Sequence, residues 1–289
     1  MRKFTALLGT AFAATAMVAA TGQVVPAQAA PVSVQAVTTV HVKAVSEIDS
    51  NEPKSATANC PAGMVVTGGG FSTATGVGND GSVVMDELLM GDTFVSGTAY
   101  EDADGTSKNW GVTVFAVCAN PLPGYEIKLG RSAVIGSEHE KTAVATCSPG
   151  KSVMGGGFAL SGATGDVVVD ELLPGTSTVS TKAFEGKNGT TKNWFLDAYA
   201  VCAFQPAGWQ IVNKAGPVHS SGKITTLECP AGKKVLGPMF DLTGSLGQAH
   251  MLSLLPQNVL REEVSIGALE DDDGTTNSWG LNNWQICAN

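Results

Sequence analysis

Two pairs of adjacent acids are the residues best suited to chemistry. They are Asp86-Glu87 and Asp170-Glu171, and two leucines follow each pair. Two carboxylates about 5 to 10 Å apart could hydrolyse a glycoside, and carboxylate oxygens also bind sugars or calcium. Neighbouring residues of a strand point to opposite faces, so one pair cannot supply both catalytic carboxylates. Solvation of a strand edge or capping of a turn is the competing interpretation.

The acids are absent from a third equivalent segment. It contains Leu252-Ser253-Leu254-Leu255, so the fold keeps the leucines and does not require the carboxylates. The acids are therefore candidates for ligand contact, namely Asp86, Glu87, Asp170 and Glu171.

Tryptophan offers a second kind of site. Trp110, Trp194 and Trp279 each stand eight residues before a cysteine. They could stack on sugar rings if exposed, but their fixed spacing favours a core position against a disulfide. Trp284 lies in a polar segment, 282–285, whose counterparts in the earlier repeats are apolar. It is a candidate ligand contact on an exposed patch, or part of an outer edge that nothing covers.

Acidic residues also cluster before two of these tryptophans, at 101–104 and 270–273. Clustered oxygens could hold calcium, but the spacing is not that of an EF-hand, and segment 185–188 has a lysine instead. Charged loop tips are the favoured interpretation. Because the chain also lacks the serine-hydrolase, zinc-protease and phosphate-loop motifs, we predict no catalytic residue, no metal site and no cofactor.

The cysteines mark a triplicated unit. The segment Cys60–Phe71 recurs as Cys147–Phe158 and Cys229–Phe240, and an Asp-Gly-Thr or Asn-Gly-Thr turn precedes the tryptophan of each unit. Equivalent positions lie 82 to 87 residues apart. Repetition favours pairing within units, Cys60 to Cys118, Cys147 to Cys202 and Cys229 to Cys287. The competing scheme joins Cys118 to Cys147, Cys202 to Cys229 and Cys60 to Cys287.

The repeat pattern predicts an all-β protein. Short β-branched and aromatic segments alternate with glycine-rich turns, and the Asx-Gly turn before each tryptophan predicts a tight hairpin. We expect three homologous, disulfide-bonded units at 30–120, 121–204 and 205–289. They close as a β-prism with pseudo-threefold symmetry or, alternatively, form three tandem small β-sandwiches.

The first 29 residues predict export. Arg2 and Lys3 precede an apolar run, and Ala27-Gln28-Ala29 has the form that signal peptidase cleaves, so we expect a signal peptide at 1–29. No later run is long and apolar enough for membrane insertion. A formal net charge of −9 argues against nucleic acid as a partner. The expected location is extracellular, where cysteines form disulfides.

The repeated Cys-Pro-x-Gly, Gly-Gly-Gly-Phe, Trp and closing Ala-Val-Cys-Ala motifs resemble a repeat of secreted actinobacterial proteins, mostly without assigned activities. More distantly, the three cysteine-bearing units resemble the vitelline membrane outer layer protein, a β-prism whose architecture some plant lectins share. This resemblance implies an extracellular structural or glycan-related role. We therefore expect a secreted, non-enzymatic binding or cell-envelope protein with glycans as candidate ligands. A secreted inhibitor or complex subunit, or a glycan hydrolase, is the alternative.

Overall fold

A computed structural model describes residues 36–76, 81–258, 261–271 and 274–289. The expected signal peptide at 1–29 lies outside the described residues. Within them the chain is all-β, as predicted, and contains no helix that could cross a membrane.

In the part of the chain that the structure describes, the first two repeats each contribute six strands and the third contributes eight, two of them only two residues long. Repeat 1 has β1 (Thr39–Val45), β2 (Lys54–Asn59), β3 (Val65–Gly76), β4 (Val83–Met90), β5 (Phe94–Glu101) and β6 (Trp110–Ala119). Repeat 2 has β7 (Glu126–Arg131), β8 (Glu140–Thr146), β9 (Ser152–Ser161), β10 (Val167–Pro174), β11 (Thr178–Glu185) and β12 (Phe195–Ala203). Repeat 3 has β13 (Gln210–Lys214), β14 (Val218–His219), β15 (Lys223–Glu228), β16 (Lys234–Asp241), β17 (Ala249–Asn258), β18 (Glu263–Glu270), β19 (Trp279–Gly280) and β20 (Asn282–Ala288).

Apart from β14 and β19, which pair with each other within repeat 3, the strands form three six-stranded antiparallel sheets, and each of these takes three strands from each of two repeats. Sheet 1 has the order β1-β6-β3-β17-β18-β15, sheet 2 has β13-β20-β16-β10-β11-β8, and sheet 3 has β2-β5-β4-β9-β12-β7. Repeat 1 therefore pairs with repeat 3, repeat 3 with repeat 2, and repeat 2 with repeat 1. The alternative of three self-contained sandwiches is wrong for the described residues, because none of these sheets belongs to a single repeat.

The prediction of a tight hairpin before each tryptophan is also wrong. The glycines of these turns do adopt positive φ, at 64°, 61° and 65° for Gly105, Gly189 and Gly274. However, the strands on either side belong to different sheets, as β5 lies in sheet 3 and β6 in sheet 1. Each turn thus carries the chain from one sheet to the next, which local sequence cannot distinguish from a hairpin.

The disulfides pair within repeats, as predicted. Cys60 bonds to Cys118, Cys147 to Cys202 and Cys229 to Cys287, with Cα separations of 5.6, 5.7 and 5.9 Å. Each bridge closes a loop of 55 or 58 residues. Three such bonds indicate an oxidising environment.

The interior is built where the three glycine-rich strands approach one another. A Cβ on Gly68 would lie 2.6 Å from the Gly237 Cα, one on Gly237 2.4 Å from the Gly155 Cα, and one on Gly155 2.9 Å from the Gly68 Cα. Only glycine permits this mutual backbone approach. Beside these glycines, the rings of Phe71, Phe158 and Phe240 are buried, and Phe158 meets each of the other two edge to face at 6.4 Å.

Candidate functional site

The structure separates the two acids of each predicted pair. Asp86 and Asp170 occupy β-bulges, where the register of β4 against β5 and of β10 against β11 shifts, and both are only 2 % exposed. Solvation of a strand edge is therefore wrong for the aspartates. Glu87 and Glu171 are half-buried and lie on the outer face of their sheets. Of the four candidates, the two glutamates are the ones that reach solvent.

The buried aspartates lie in surroundings that disfavour their charged form. Burial raises the pKa of Asp170 to about 8, although the Ser245 hydroxyl and the Gly247 amide donate hydrogen bonds to its Oδ2 at 2.5 and 3.3 Å. Turn capping is thus part of its role. Burial also raises the pKa of Asp86 well above its ordinary range. The Gly165 amide, which faces Asp86 without normal hydrogen-bond geometry, offsets part of this rise.

The three repeated tryptophans are core residues, as predicted, but they do not pack on disulfides. Trp110 begins β6 and Cys118 lies eight residues on, which in a strand is about 26 Å. Each indole is fully buried and donates its Nε1 hydrogen to a glutamate at the end of the preceding long strand. The pairs are Trp110 to Glu101 at 2.9 Å, Trp194 to Glu185 at 3.2 Å and Trp279 to Glu270 at 2.9 Å.

The same glutamates organise the acidic turns. Glu101 accepts from the Thr106 amide at 3.0 Å, and Glu185 accepts from the Thr190 amide at 3.3 Å. The first acid of each segment is therefore structural. A small opening beside the turns, lined by Asp102, Asp166 and their neighbours from all three repeats, has a volume of about 40 Å³. That volume is enough for a few water molecules. Among the described residues, no acidic, histidine or cysteine cluster has metal-binding geometry.

Sequence reasoning missed a lysine that completes this arrangement. Lys54, Lys141 and Lys223 are buried, and each ammonium lies over the indole of its own repeat at 5.5, 4.6 and 3.2 Å from the ring centroid. Each stands six residues before the first cysteine of its repeat, which was the available signal. A buried lysine and a buried tryptophan, together with the glutamate that accepts from the indole, thus recur in every repeat, which assigns these residues to the fold.

The polar segment around Trp284 is not an exposed patch, which was one of its two interpretations. Asn283 and Gln285 are fully buried, and the Asn283 amide donates to the Thr225 and Val264 carbonyls at 3.2 and 3.0 Å. Trp284 itself is half-buried and lies on the outer side of sheet 2. The predicted contact surface is therefore reduced to this one side chain and to Asn282.

Trp284 belongs to a second set of repeated aromatics that the sequence analysis did not recognise. Phe115, Tyr199 and Trp284 each stand three residues before the closing cysteine of their repeat. All three are half-buried, and each lies on the outer face of a different sheet. Tyr199 and Trp284 pack part of their surface against the hydrophobic core, and the rest of each side chain reaches solvent.

Homologous positions on the three outer faces carry different chemistry. On each sheet we followed the residues that pair, from strand to strand, with Glu87, Glu171 or Ser253, which occupy equivalent positions in the three repeats. These residues form one row across each sheet. On sheet 3 the row is Ser55, Thr98, Glu87, Ala159, Asp197 and Arg131. On sheet 2 it is Thr142, Lys182, Glu171, Asp241 and Asn282. On sheet 1 it is Ile224, Gly267, Ser253, Ser72, Thr113 and Val45, and an apolar groove of about 600 Å³ lies along part of this row.

Sheet 3 combines carboxylates with two aromatic rings. Tyr100 on β5 and Tyr199 on β12 are half-buried strand residues of this sheet, and burial raises both of their pKa values, with a smaller contribution from the charge of Glu87. Burial raises the pKa of Glu87 itself. Farther along the row, Arg131 donates two hydrogen bonds to the Asp197 carboxylate at 2.7 and 2.8 Å, from Nε and from an Nη. This face therefore presents acceptors, donors and aromatic rings together.

Comparison of the chain with protein-family models and with curated proteins gives no match.

Proposed function

We infer that the three sheets form a β-prism around a pseudo-threefold axis. The cyclic exchange of strands between repeats supports this, since each sheet joins one half of one repeat to one half of another. The mutual approach of Gly68, Gly155 and Gly237 supports an axis at that point, because each glycine faces the next in cyclic order. Such an arrangement presents three outer faces to solvent.

We propose that the protein is a secreted, non-catalytic binding protein of the cell envelope that recognises glycans on the outer face of sheet 3. The observation that supports this proposal is that Glu87 on β4 shares sheet 3 with the half-buried rings of Tyr100 on β5 and Tyr199 on β12, which lie on either side of β4 in the strand order. Phenol rings stack on the apolar face of a pyranose, and a carboxylate between them accepts hydrogen bonds from sugar hydroxyls. The exposed guanidinium of Arg131, which is held in place by Asp197, offers a further donor on the same row.

The charge of the chain narrows the class of glycan. The formal net charge is −9, and Glu87 adds a carboxylate at the centre of the proposed site. An anionic polysaccharide would be repelled by both, so a neutral glycan is the favoured ligand.

The outer face supports binding rather than hydrolysis. Glu87 and Asp197 lie on β4 and β12, two strands apart, which corresponds to about 10 Å between their backbones. That spacing would suit an inverting hydrolase, whose carboxyl groups stand roughly 6.5 to 9.5 Å apart. However, both Asp197 oxygens accept hydrogen bonds from Arg131, which holds this carboxylate in an ion pair. The face then has one available carboxylate, which can bind a sugar but cannot perform two-carboxylate catalysis.

The test is binding of the mature protein to a neutral-glycan panel and to purified cell walls. We expect binding that Tyr199→Ala and Glu87→Gln each reduce at least tenfold, while the matched variant Trp284→Ala on sheet 2 retains it. Loss of binding in Trp284→Ala alone would contradict the assignment to sheet 3. Absence of binding to any glycan, with capture of one secreted protein, would favour the inhibitor or complex-subunit alternative. Hydrolysis of the glycan that is abolished by Glu87→Gln would favour an enzyme.

A further inference from the structure

The strands of each sheet pair over the shortest length where two repeats join. Within the six-stranded sheets, strands of one repeat pair through five or more residues, whereas strands of different repeats pair through only two. The three junctions are β4 with β9, β10 with β16 and β17 with β3. In each junction a buried leucine pairs with a phenylalanine of the next repeat, Leu88 with Phe158, Leu172 with Phe240 and Leu254 with Phe71.

A bulged residue stands two positions before the leucine at every junction. In the junction of repeats 1 and 2 this residue is Asp86, and in the junction of repeats 2 and 3 it is Asp170. Both aspartates are only 2 % exposed. In the third junction it is Leu252. The chain therefore contains two junctions with a buried carboxyl group and one natural junction without it.

The neighbours of Asp86 provide little compensation for a negative charge. Both of its carboxyl oxygens lack a hydrogen-bond partner among the described residues. The charged groups that act on it are the carboxylates of Asp166, Glu87 and Glu52, and the nearby Tyr100 is a neutral phenol. The adjacent loop of repeat 2 offers it only the Gly165 amide.

Asp170 has partners for one oxygen only. Its Oδ2 accepts from Ser245 and Gly247, both in the loop of repeat 3, so this hydrogen bonding crosses the junction. Its Oδ1 has no partner among the described residues. The charged groups that act on it, Glu171 and Asp241, are again acids, and the nearby Lys182 lies 3.6 Å from the Glu171 carboxylate.

We propose that protonation of Asp86 and Asp170 controls whether these two junctions between repeats are closed or open. Neutral Asp86 and Asp170 keep the narrow junctions closed, and ionisation of either one places an uncompensated charge inside its junction and opens it. The junction at Leu252 does not respond. The protein is therefore closed in acid and loosens as the medium becomes neutral to alkaline.

Proton linkage gives the direction in which folding stability changes with pH. A carboxyl group that is neutral in the folded protein and ionised in the unfolded chain makes the folded state bind more protons, so stability falls as pH rises. For Asp170 this holds from the ordinary aspartate range up to a pKa of about 8. Within that window each such carboxyl lowers the folding equilibrium constant by up to about tenfold per pH unit.

The first test is urea unfolding of the disulfide-intact protein at several values between pH 5 and pH 8. We expect the folding equilibrium constant to fall steeply in the wild type and to change far less in Asp86→Asn/Asp170→Asn. The matched control is Asp92→Asn/Glu228→Gln, which removes two exposed carboxylates and should keep the wild-type slope. Equal slopes in the wild type and the Asp86/Asp170 variant would overturn the proposal.

A second test needs no variant and so remains decisive if the double variant does not fold. Hydrogen exchange followed by mass spectrometry compares peptides of β4 and β10 with the equivalent peptide of β17. After correction for intrinsic exchange, opening should increase with pH in β4 and β10, and this increase should be absent from β17, whose buried titratable residue is His250 and not a carboxyl group. The same pH response in all three strands, or none in any, would contradict the proposal.

Discussion

Replacing Gly155 by alanine should destabilise the whole protein, because this glycine lies where all three repeats approach. A Cβ at this position would lie 2.1 Å from the Thr67 carbonyl oxygen and 2.9 Å from the Gly68 Cα. Both are backbone atoms of another repeat, so no side-chain rotation relieves the clash and the strands must separate by about 1 Å. Overpacking of a core costs about 1 to 3 kcal/mol, and a backbone clash belongs at the upper end, about 3 kcal/mol.

For a domain of this size, about 3 kcal/mol corresponds to a decrease in Tm of roughly 6 to 12 °C. The assay is thermal and urea unfolding of the disulfide-intact protein, followed by near-ultraviolet circular dichroism of the buried tryptophans. The matched control is Gly280→Ala, also a buried strand glycine, whose Cβ would meet its nearest neighbour at an ordinary 3.5 Å. A Gly155→Ala protein within 1 kcal/mol of wild type, or an equal loss in Gly280→Ala, would refute the assigned approach of the repeats.

Two further predictions concern the repeated buried groups. Glu185→Ala leaves the Trp194 Nε1 and the Thr190 amide without their acceptor and should lower the free energy of unfolding in urea by about 2 to 4 kcal/mol. The control Glu140→Ala removes an exposed carboxylate and should cost less than about 0.5 kcal/mol. Equal losses in the two variants would contradict a structural role for Glu185. Removing the 55-residue cross-link with Cys147→Ala/Cys202→Ala should lower the free energy of unfolding by roughly 4 kcal/mol, and an unchanged value under non-reducing conditions would count against this bond as a major source of stability.

Repetition made part of this fold predictable. A disulfide scheme that repeats is strongly favoured when Cys60, Cys147 and Cys229 begin equivalent segments, and the buried tryptophans followed from the same logic. The pairing of β4 with β9 could not be derived in this way. It joins residues of different repeats, and the alternating pattern that defines a strand carries no information about which distant strand it will pair with.

The candidate site was only partly predictable for the same reason. The sequence analysis selected Glu87 and Trp284, which reach the outer faces, together with Asp86, which a bulge turns into the interior. Tyr199 was not singled out, because its half-exposure depends on the position of β12 within sheet 3. Its spacing of three residues from Cys202 was a usable signal, and the same spacing recurs for Phe115.

Chemical nitration of tyrosine with and without bound glycan tests the proposed site most directly. The chain has three tyrosines, of which Tyr100 and Tyr199 lie on strands β5 and β12 of sheet 3, while Tyr125 precedes β7 and its hydroxyl lies 3.5 Å from the Asp92 carbonyl oxygen. Mass spectrometry should find Tyr100 and Tyr199 protected by a saturating neutral glycan and Tyr125 modified at its original rate. Saturation of the protein with glycan that leaves Tyr100 and Tyr199 equally reactive would contradict the account.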